Sequence, residues 1–411
     1  YSQKAVRFLT QIKWDCYMSI FNINELSDFL KLRRIESELQ TEIIEGVKKN
    51  SMALRLSPHV LKLIDWNNII TDPIRKQFLP LLSEYLPSHP QLKFDSLSEK
   101  TSQTKPGIIH RYPNKILFLL GNTCPTYCAF CTRSYAVGPN TQALKKSNLT
   151  KSLVAQPNIV INYLRENIHI NDIVISGGDI GSVETGIIEK LLSHLVTIES
   201  LKTVRLATRT LLFEPKLFLP NSPLFELIIQ YSSKFKQHNK ELSIQCHFNH
   251  PIEISHESQQ ATLSLWRSGV IIRNQTVLLD GINSTIEIQK NLIKKLLNSG
   301  IEPYYVYQMD MVANAEHFRT NLATSINISK NLTGAFTGFQ IPRFIIDLPG
   351  GGGKRSVYEY DFYDKKDGVY GFKPPLISGE KIYYYCDPLR YLSPHVQKEW
   401  HSKIYVSEIY N

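Results

Sequence analysis

Short β-branched runs alternate with longer amphipathic stretches through the middle of this 411-residue chain, and that alternation constrains its fold more than any other feature. Strands are expected at 116–120, 172–176, 204–207, 242–247, 271–279 and 304–308, with helices between them, for example over 183–198 and 284–298. A strand that lies parallel to its predecessor needs a crossover to return to the starting edge. Six β-then-α units in succession therefore imply a parallel sheet. The fold class expected is α/β, a partial (β/α)6 TIM-like barrel whose site gathers at the C-terminal ends of the strands.

The flanks read differently. Residues 1–108 are expected to form a helical region and linker. Apolar residues recur at helical spacing around Val6, Phe8 and Leu9, at Phe29 and Leu30, and from Gln77 to Leu82, with prolines at 58, 73, 80, 87 and 90 punctuating the segments. The polar stretch 92–107 reads as a linker or wrapping loop. The barrel is assigned to 109–335, where the alternation stops. A strand at 344–346 then leads into Asp347-Leu348-Pro349, four glycines and Lys354, and a tail rich in Tyr gives a β-rich C-terminal extension over 336–411.

Charge and composition narrow the function. The formal charge is +10, from 47 Lys+Arg against 37 Asp+Glu, yet the basic residues are scattered and no basic block interleaves with aromatics, so no nucleic-acid partner is expected. No run of about 18 apolar residues is present, so no membrane span is expected either. The opening Tyr1-Ser2-Gln3-Lys4 has no start Met and no apolar signal core, which reads as a trimmed or tagged chain from the cytoplasm. Six cysteines are too few for a disulfide scaffold in a chain of this length, and the isolated Cys16, Cys246 and Cys386 read as small buried apolar residues.

The other three cysteines carry chemistry. Cys124, Cys128 and Cys131 form a C-x3-C-x2-C triplet just after the first expected strand. Three thiolates on one loop can hold three irons of a four-iron cluster and leave the fourth open to a ligand that is not protein. A structural zinc site wants four ligands, and no fourth Cys or His follows at the usual spacing. Ser176-Gly177-Gly178-Asp179 ends the second strand, where glycines let backbone approach a ligand closely. Lys354, behind Gly350 to Gly353, suits a Schiff base to pyridoxal 5′-phosphate, with a solvated turn lysine or a phosphate-cradling loop as alternatives.

The triplet, with aromatic Phe130 before its last cysteine, resembles the signature of the radical S-adenosylmethionine enzymes. The chain is similar, more narrowly, to the lysine 2,3-aminomutase family. The residues that carry the resemblance are Thr71 to Gln77, His110-Arg111-Tyr112-Pro113, Asn122 through Arg133, His247-Phe248-Asn249-His250-Pro251, Asn274-Gln275 through Leu279, Pro303-Tyr304-Tyr305, His317-Phe318-Arg319-Thr320, and Asp347 with Pro349 through Lys354. It covers about residues 10 to 360.

That resemblance implies three cofactors: a [4Fe-4S] cluster on Cys124, Cys128 and Cys131, S-adenosylmethionine on its open iron, and pyridoxal phosphate on Lys354. It implies that Ser176, Gly177, Gly178 and Asp179 meet the methionyl amino group and that His247 and Asn249 shape the adenosyl pocket. Arg111, Tyr112, Lys115 and Arg209 are implied around pyridoxal phosphate, and Arg133 as a clamp on the substrate carboxylate, a role that guanidinium geometry suits.

Lysine-using members hold the distal ammonium with two aspartates. One matches Asp347. The other is expected after Gly281-Ile282-Asn283, where this chain has Ser284, and Asp280 stands where an Arg is usual. A glutamate substrate fits poorly, because Asp347 repels its side chain. The function expected is a 2,3-aminomutase that moves the α-amino group of lysine, or of another cationic or polar amino acid, to the β carbon. Alternatives are arginine, β-lysine made for attachment to a translation factor, or a decayed iron–sulfur protein. A reductant protein is expected as partner and a homo-oligomer is left open. With Cys386 alone in the tail, the family's C-terminal zinc is not expected.

Overall fold

The computed structural model describes residues 18–150, 156–374 and 381–402. The expected helical turn at Val6 to Leu9, and Cys16, lie outside them. Among the described residues, ten strands form one sheet in chain order. They are β1 (Gln103–Lys105), β2 (Ile108–Tyr112), β3 (Lys115–Gly121), β4 (Asp172–Gly177), β5 (Thr203–Thr208), β6 (Glu241–Cys246), β7 (Ile271–Leu278), β8 (Glu302–Gln308), β9 (Arg343–Leu348) and β10 (Gly353–Ser356). From β3 to β9 every neighbouring pair is parallel, while β1–β2–β3 and β9–β10 are antiparallel. No ladder joins β1 to β10 among the described residues, so the sheet is not closed by strand pairing.

The six expected strands are present, with bounds shifted by no more than two residues. A seventh parallel strand, β9, pairs with β8 after a crossover through the helix Leu322–Leu332. Six was therefore one too few.

Alternation along the strands separates two faces. In β4, Ile173 and Ile175 are buried, and in β5, Val204 and Leu206, all against a core that also takes Leu191, Leu192 and Ile228 from the crossover helices. Asp172, Val174, Ser176, Arg205 and Ala207 alternate with them and line a cavity on the other face. The period-2 pattern thus marks one face for the helices and leaves the other polar.

The N-terminal helices belong to the same core, contributing Leu26, Phe29, Val60, Ile74 and Phe78. Two of the prolines act as helix starts. Pro58 and Pro73 open their helices behind Ser57 and Asp72, whose side chains accept backbone N–H groups of the first turn. The 92–107 stretch does wrap: Lys93 N–H donates to Met311 O, and Ser96 O accepts from Gly350 N–H. In the tail, β11 (Phe362–Asp364), β12 (Val369–Phe372) and β13 (Tyr383–Cys386) form an antiparallel sheet. Cys246 and Cys386 are buried among apolar neighbours. No helix among the described residues is long and apolar enough to cross a membrane.

Candidate active site

A cavity of about 1230 Å³ runs along the polar face. Its wall includes the first residues of strands, Lys115, Asp172, Thr203 and Glu241, and groups beyond their last residues, Cys124, Asp179, Arg209 and His247. Six-residue strands make that span about 17 Å or more.

The cysteine loop is fixed from two sides. Gly178 N–H donates to Gly121 O and Asp179 N–H to Thr123 O, each at 2.8 Å. Gly177 has φ +113°, and a Cβ there would lie 2.1 Å from Gly121 O; at Gly178 it would lie 2.0 Å from Thr123 O. The glycines of Ser176-Gly177-Gly178-Asp179 are thus required by the chain's own backbone. On the other side, Tyr127 N–H donates to Arg55 O at 3.1 Å and Ala129 N–H to Gln77 O at 2.8 Å.

All three thiols line the cavity. Burial raises each above the usual thiol range, Cys131 to about 11, while a cation opposes it at every position: Arg55 near Cys124, Arg209 near Cys128, Arg133 and Lys146 near Cys131. Among the described residues no group of three or more His, Cys, Asp or Glu converges on a single metal ion.

Four expected cofactor residues have a different setting from the one anticipated. Arg209, expected at pyridoxal phosphate, donates to Cys128 Sγ at 2.8 Å, to Gln77 Oε1 at 2.6 Å and to Glu253 Oε1 at 3.2 Å. The cation of β5 that faces Lys115 is instead Arg205, paired with Asp172. Asp179 is saturated by protein: Thr208 Oγ1, Thr210 Oγ1, and the N–H groups of Gly181 and Arg209 all donate to it. Asn249 is buried outside the cavity wall. Its Oδ1 accepts from Val277 N–H at 2.8 Å, which identifies that atom as the oxygen and makes His247 Nε2, at 2.9 Å, the protonated nitrogen. His247 does line the cavity, edge-on to Phe130, and burial holds its pKa well below the usual range. Its Nδ1 lone pair is left to accept. Arg111 ion-pairs with Asp347.

The glycine run is a defined turn. Gly350, Gly351 and Gly353 have φ of +74°, +91° and +80°, and a Cβ on Gly352 would lie 2.6 Å from the Tyr383 ring. The turn closes the β9–β10 hairpin, in whose register Lys354 faces Asp347 directly. Lys354 Nζ lies 3.0 Å from Asp347 Oδ2, and Arg111 Nη1 2.7 Å from Asp347 Oδ1. Asp347 is 6% exposed; burial opposes its ionisation, but Lys354 and Arg111 hold its pKa down at about 2. Asp347 in turn raises Lys354 against the cost of burial. Tyr112, whose hydroxyl accepts from Lys354 N–H at 2.9 Å, sits under the Lys115 ammonium, 4.3 Å from Nζ to the ring centre. Burial first, then the charge of Lys354, push Lys115 down; Asp172 opposes them and Arg205 adds a smaller push.

Asp280 and Ser284 do not line the cavity. Asp280 is held by Arg390 at 2.9 Å and by Ser284 Oγ at 3.4 Å, because Asn283 Nδ2 donates to Asn249 O and Val277 O and turns the chain after it. A carboxylate of the cavity wall that sequence reasoning missed is Asp310. It follows β8, its Oδ2 accepts from Thr132 Oγ1 at 2.7 Å, and its Oδ1 is buried without a partner. Burial and the negative charge of Asp347 raise its pKa to about 7. Arg133, next to Thr132, also lines the cavity and ion-pairs at 2.8 Å with Glu99, another residue missed. Gln77 and Glu253 belong to the same unforeseen group.

The residues present fit the three expected groups: thiols with nearby cations, an amine beside aromatic rings and the Lys115 ammonium, and a histidine at the cysteine loop whose pKa burial holds well down. No family model matches the chain. It is 32% identical over 345 residues to the L-lysine 2,3-aminomutase of Clostridium subterminale, covering 84% of this chain and 77% of that one. It is 31% identical over 347 residues to the glutamate 2,3-aminomutase of Clostridioides difficile, covering 83% and 75%. Among solved structures, Streptococcus suis SuiB bound to S-adenosylmethionine aligns with a TM-score of 0.41 at 12% identity, over 68% of this chain and 70% of that one.

Proposed function

The chain belongs to the lysine 2,3-aminomutase family of radical S-adenosylmethionine isomerases, and from that premise we propose that it moves the α-amino group of a cationic amino acid, lysine first, to the β carbon. When bound, the cluster and S-adenosylmethionine supply the radical that takes hydrogen from the β carbon, and pyridoxal phosphate carries the migrating amine. A reductant protein is the partner this chemistry requires.

Cys124, Cys128 and Cys131 would hold the cluster. His247 offers a lone pair at that end of the cavity. Lys354 would hold pyridoxal phosphate, with Lys115, Arg205 and Tyr112 supplying the positive and hydroxyl partners that a phosphate wants. Arg133 would take the substrate carboxylate. The ion pair of Arg111 on β2 with Asp347 on β9 supports reading the sheet as a partial barrel, since it brings together strands seven places apart in the sheet order.

The observation that carries the substrate class is Asp310, whose Oδ1 is buried without a partner, in one cavity wall with the buried Asp347 and with Lys354. Asp347 is already shared between Lys354 and Arg111, so the group left to attract a distal cation and repel a distal carboxylate is Asp310. At about 4 Å and an effective dielectric of about 20, each interaction is worth roughly 4 kcal/mol before desolvation. The missing aspartate at Ser284 therefore does not count against lysine. Anaerobic reconstitution with all three cofactors, followed by a mass-spectrometric screen of free amino acids, tests the proposal. β-Lysine from lysine is expected. Turnover of glutamate in preference to lysine and arginine would overturn it.

A further inference from the structure

Glu99 is a buried carboxylate on the wrapping loop, 1% exposed in its side chain, and it engages Arg133 along one edge only. Arg133 Nε donates to Glu99 Oε2 at 2.9 Å and Oε1 at 3.1 Å, and Nη2 donates to Oε1 at 2.8 Å. Tyr135 Oη donates to Glu99 Oε2 at 2.8 Å and fixes the carboxylate from behind. Burial opposes the Glu99 charge, but Arg133 holds its pKa below the usual range.

A guanidinium has five N–H donors in a rigid plane. Glu99 occupies the Nε side of the fork. The other edge, Nη1 with the second Nη2 hydrogen, keeps one contact at the limit of bonding, Ser176 Oγ at 3.5 Å, and both Arg133 and Ser176 line the cavity. An arginine held in this way has one edge left for a planar two-oxygen group, and its approach direction is set before any ligand arrives.

We propose that Glu99 is the positioning residue for substrate-carboxylate recognition: it locks Arg133 so that only the Nη1/Nη2 edge faces the cavity, and Tyr135 locks Glu99. This rests on the reading of Arg133 as the carboxylate clamp. Because Glu99 already neutralises Arg133, net charge contributes little, and selection of a carboxylate depends on the aim of the fork.

The experiment uses reconstituted holoenzyme kept oxidised, so that nothing turns over, and measures calorimetric dissociation constants for lysine and lysinamide. The intact protein is expected to favour lysine. E99D keeps the charge and shortens the reach; E99Q keeps the shape and removes the charge. Both should shrink the lysine preference roughly tenfold, mostly by weakening lysine. Y135F, a smaller change that spares folding, should shrink it two- to fivefold.

Equal weakening of both ligands would assign Glu99 a merely structural role and overturn the inference. So would a preference that rises in E99Q, because Glu99 would then be only a counter-charge. R133Q separates the two levels. If R133Q abolishes the preference while the Glu99 and Tyr135 variants leave it intact, the positioning role fails alone. If R133Q leaves it intact, or the intact protein shows none, the clamp itself fails and the inference with it.

Discussion

The two ends of the cavity are built on opposite principles. At the cysteine loop nearly every polar group has a partner within the chain: Asp179 accepts four hydrogen bonds, Asn249 and Gln77 are shared among buried neighbours, and the glycines are pressed on backbone. At the Lys354 end the charges are unbalanced. Arg111 and Lys354 share the one carboxylate of Asp347, and burial, then the charge of Lys354, push Lys115 down; between the two ends, Asp310 is held by Thr132 next to the cysteine loop, feels Asp347, and keeps a buried oxygen with no donor. One end is rigid before anything binds; the other stores electrostatic demand that a charged ligand can meet. Hydrogen bonds fix a position, whereas unpaired buried charge selects a partner.

The sharpest break in that comparison comes from Cys128→Ala. It should abolish iron–sulfur absorbance and cleavage of S-adenosylmethionine, while borohydride in the presence of pyridoxal phosphate still labels Lys354. Loss of that labelling would mean that the ends are not independent. Conversely, Lys354→Ala should leave iron and sulfide contents unchanged and lower aminomutase turnover roughly a hundredfold or more, through loss of positioning.

Asp310→Asn is expected to cost about 2 kcal/mol or more in kcat/KM for lysine, roughly thirtyfold, because Asp347 is otherwise shared between Lys354 and Arg111. Ser284→Asp should change lysine turnover less than about twofold, since position 284 lies off the cavity wall. A large gain from Ser284→Asp would restore the position that the sequence pointed to.

Acidity sharpens the contrast further. The raised pKa of Asp310, about 7, makes it neutral below that pH and charged above it. A neutral carboxyl does not hold a cation, so the Michaelis constant for lysine should fall as pH rises through about 7, and Asp310→Asn should flatten that limb. The smallest effect is expected outside the cavity. Asp280→Asn breaks a partly exposed pair with Arg390 and should destabilise the fold by about 0.5 kcal/mol in urea unfolding, with kinetics unchanged.

Strands were legible in the sequence because burial on one face writes itself as period-2 alternation. β9 was missed as a parallel strand because it stands apart from the repeat, with a hairpin after it in place of a helix. The cysteine triplet and Lys354 were legible because their chemistry is local. Asp310 was not: it stands alone in sequence beyond Met309, and only the packing of β8 beside β9 makes it a neighbour of Asp347. Ser284 misled for the converse reason, since the Asn283 hydrogen bonds that turn it aside leave no mark in a linear pattern. Arg205 lies in the first half of the strand Thr203–Thr208 and Arg209 just beyond its end, and the sequence alone does not tell which of the two comes beside Lys115 and which turns away into Thr210–Phe213.

The stitching of the cysteine loop to Arg55 and Gln77 bears on how this protein can be cut down for engineering. A minimal version beginning at residue 109 would retain every side chain expected to touch a cofactor. It would also strip the backbone acceptors from Tyr127 and Ala129, and leave the Arg209 guanidinium and Glu253 carboxylate without the amide that joins them. The helical segments that look dispensable are one wall of the mould in which a metal cluster has to be cast, so shortening the gene from its 5′ side removes the casting surface before it removes any ligand.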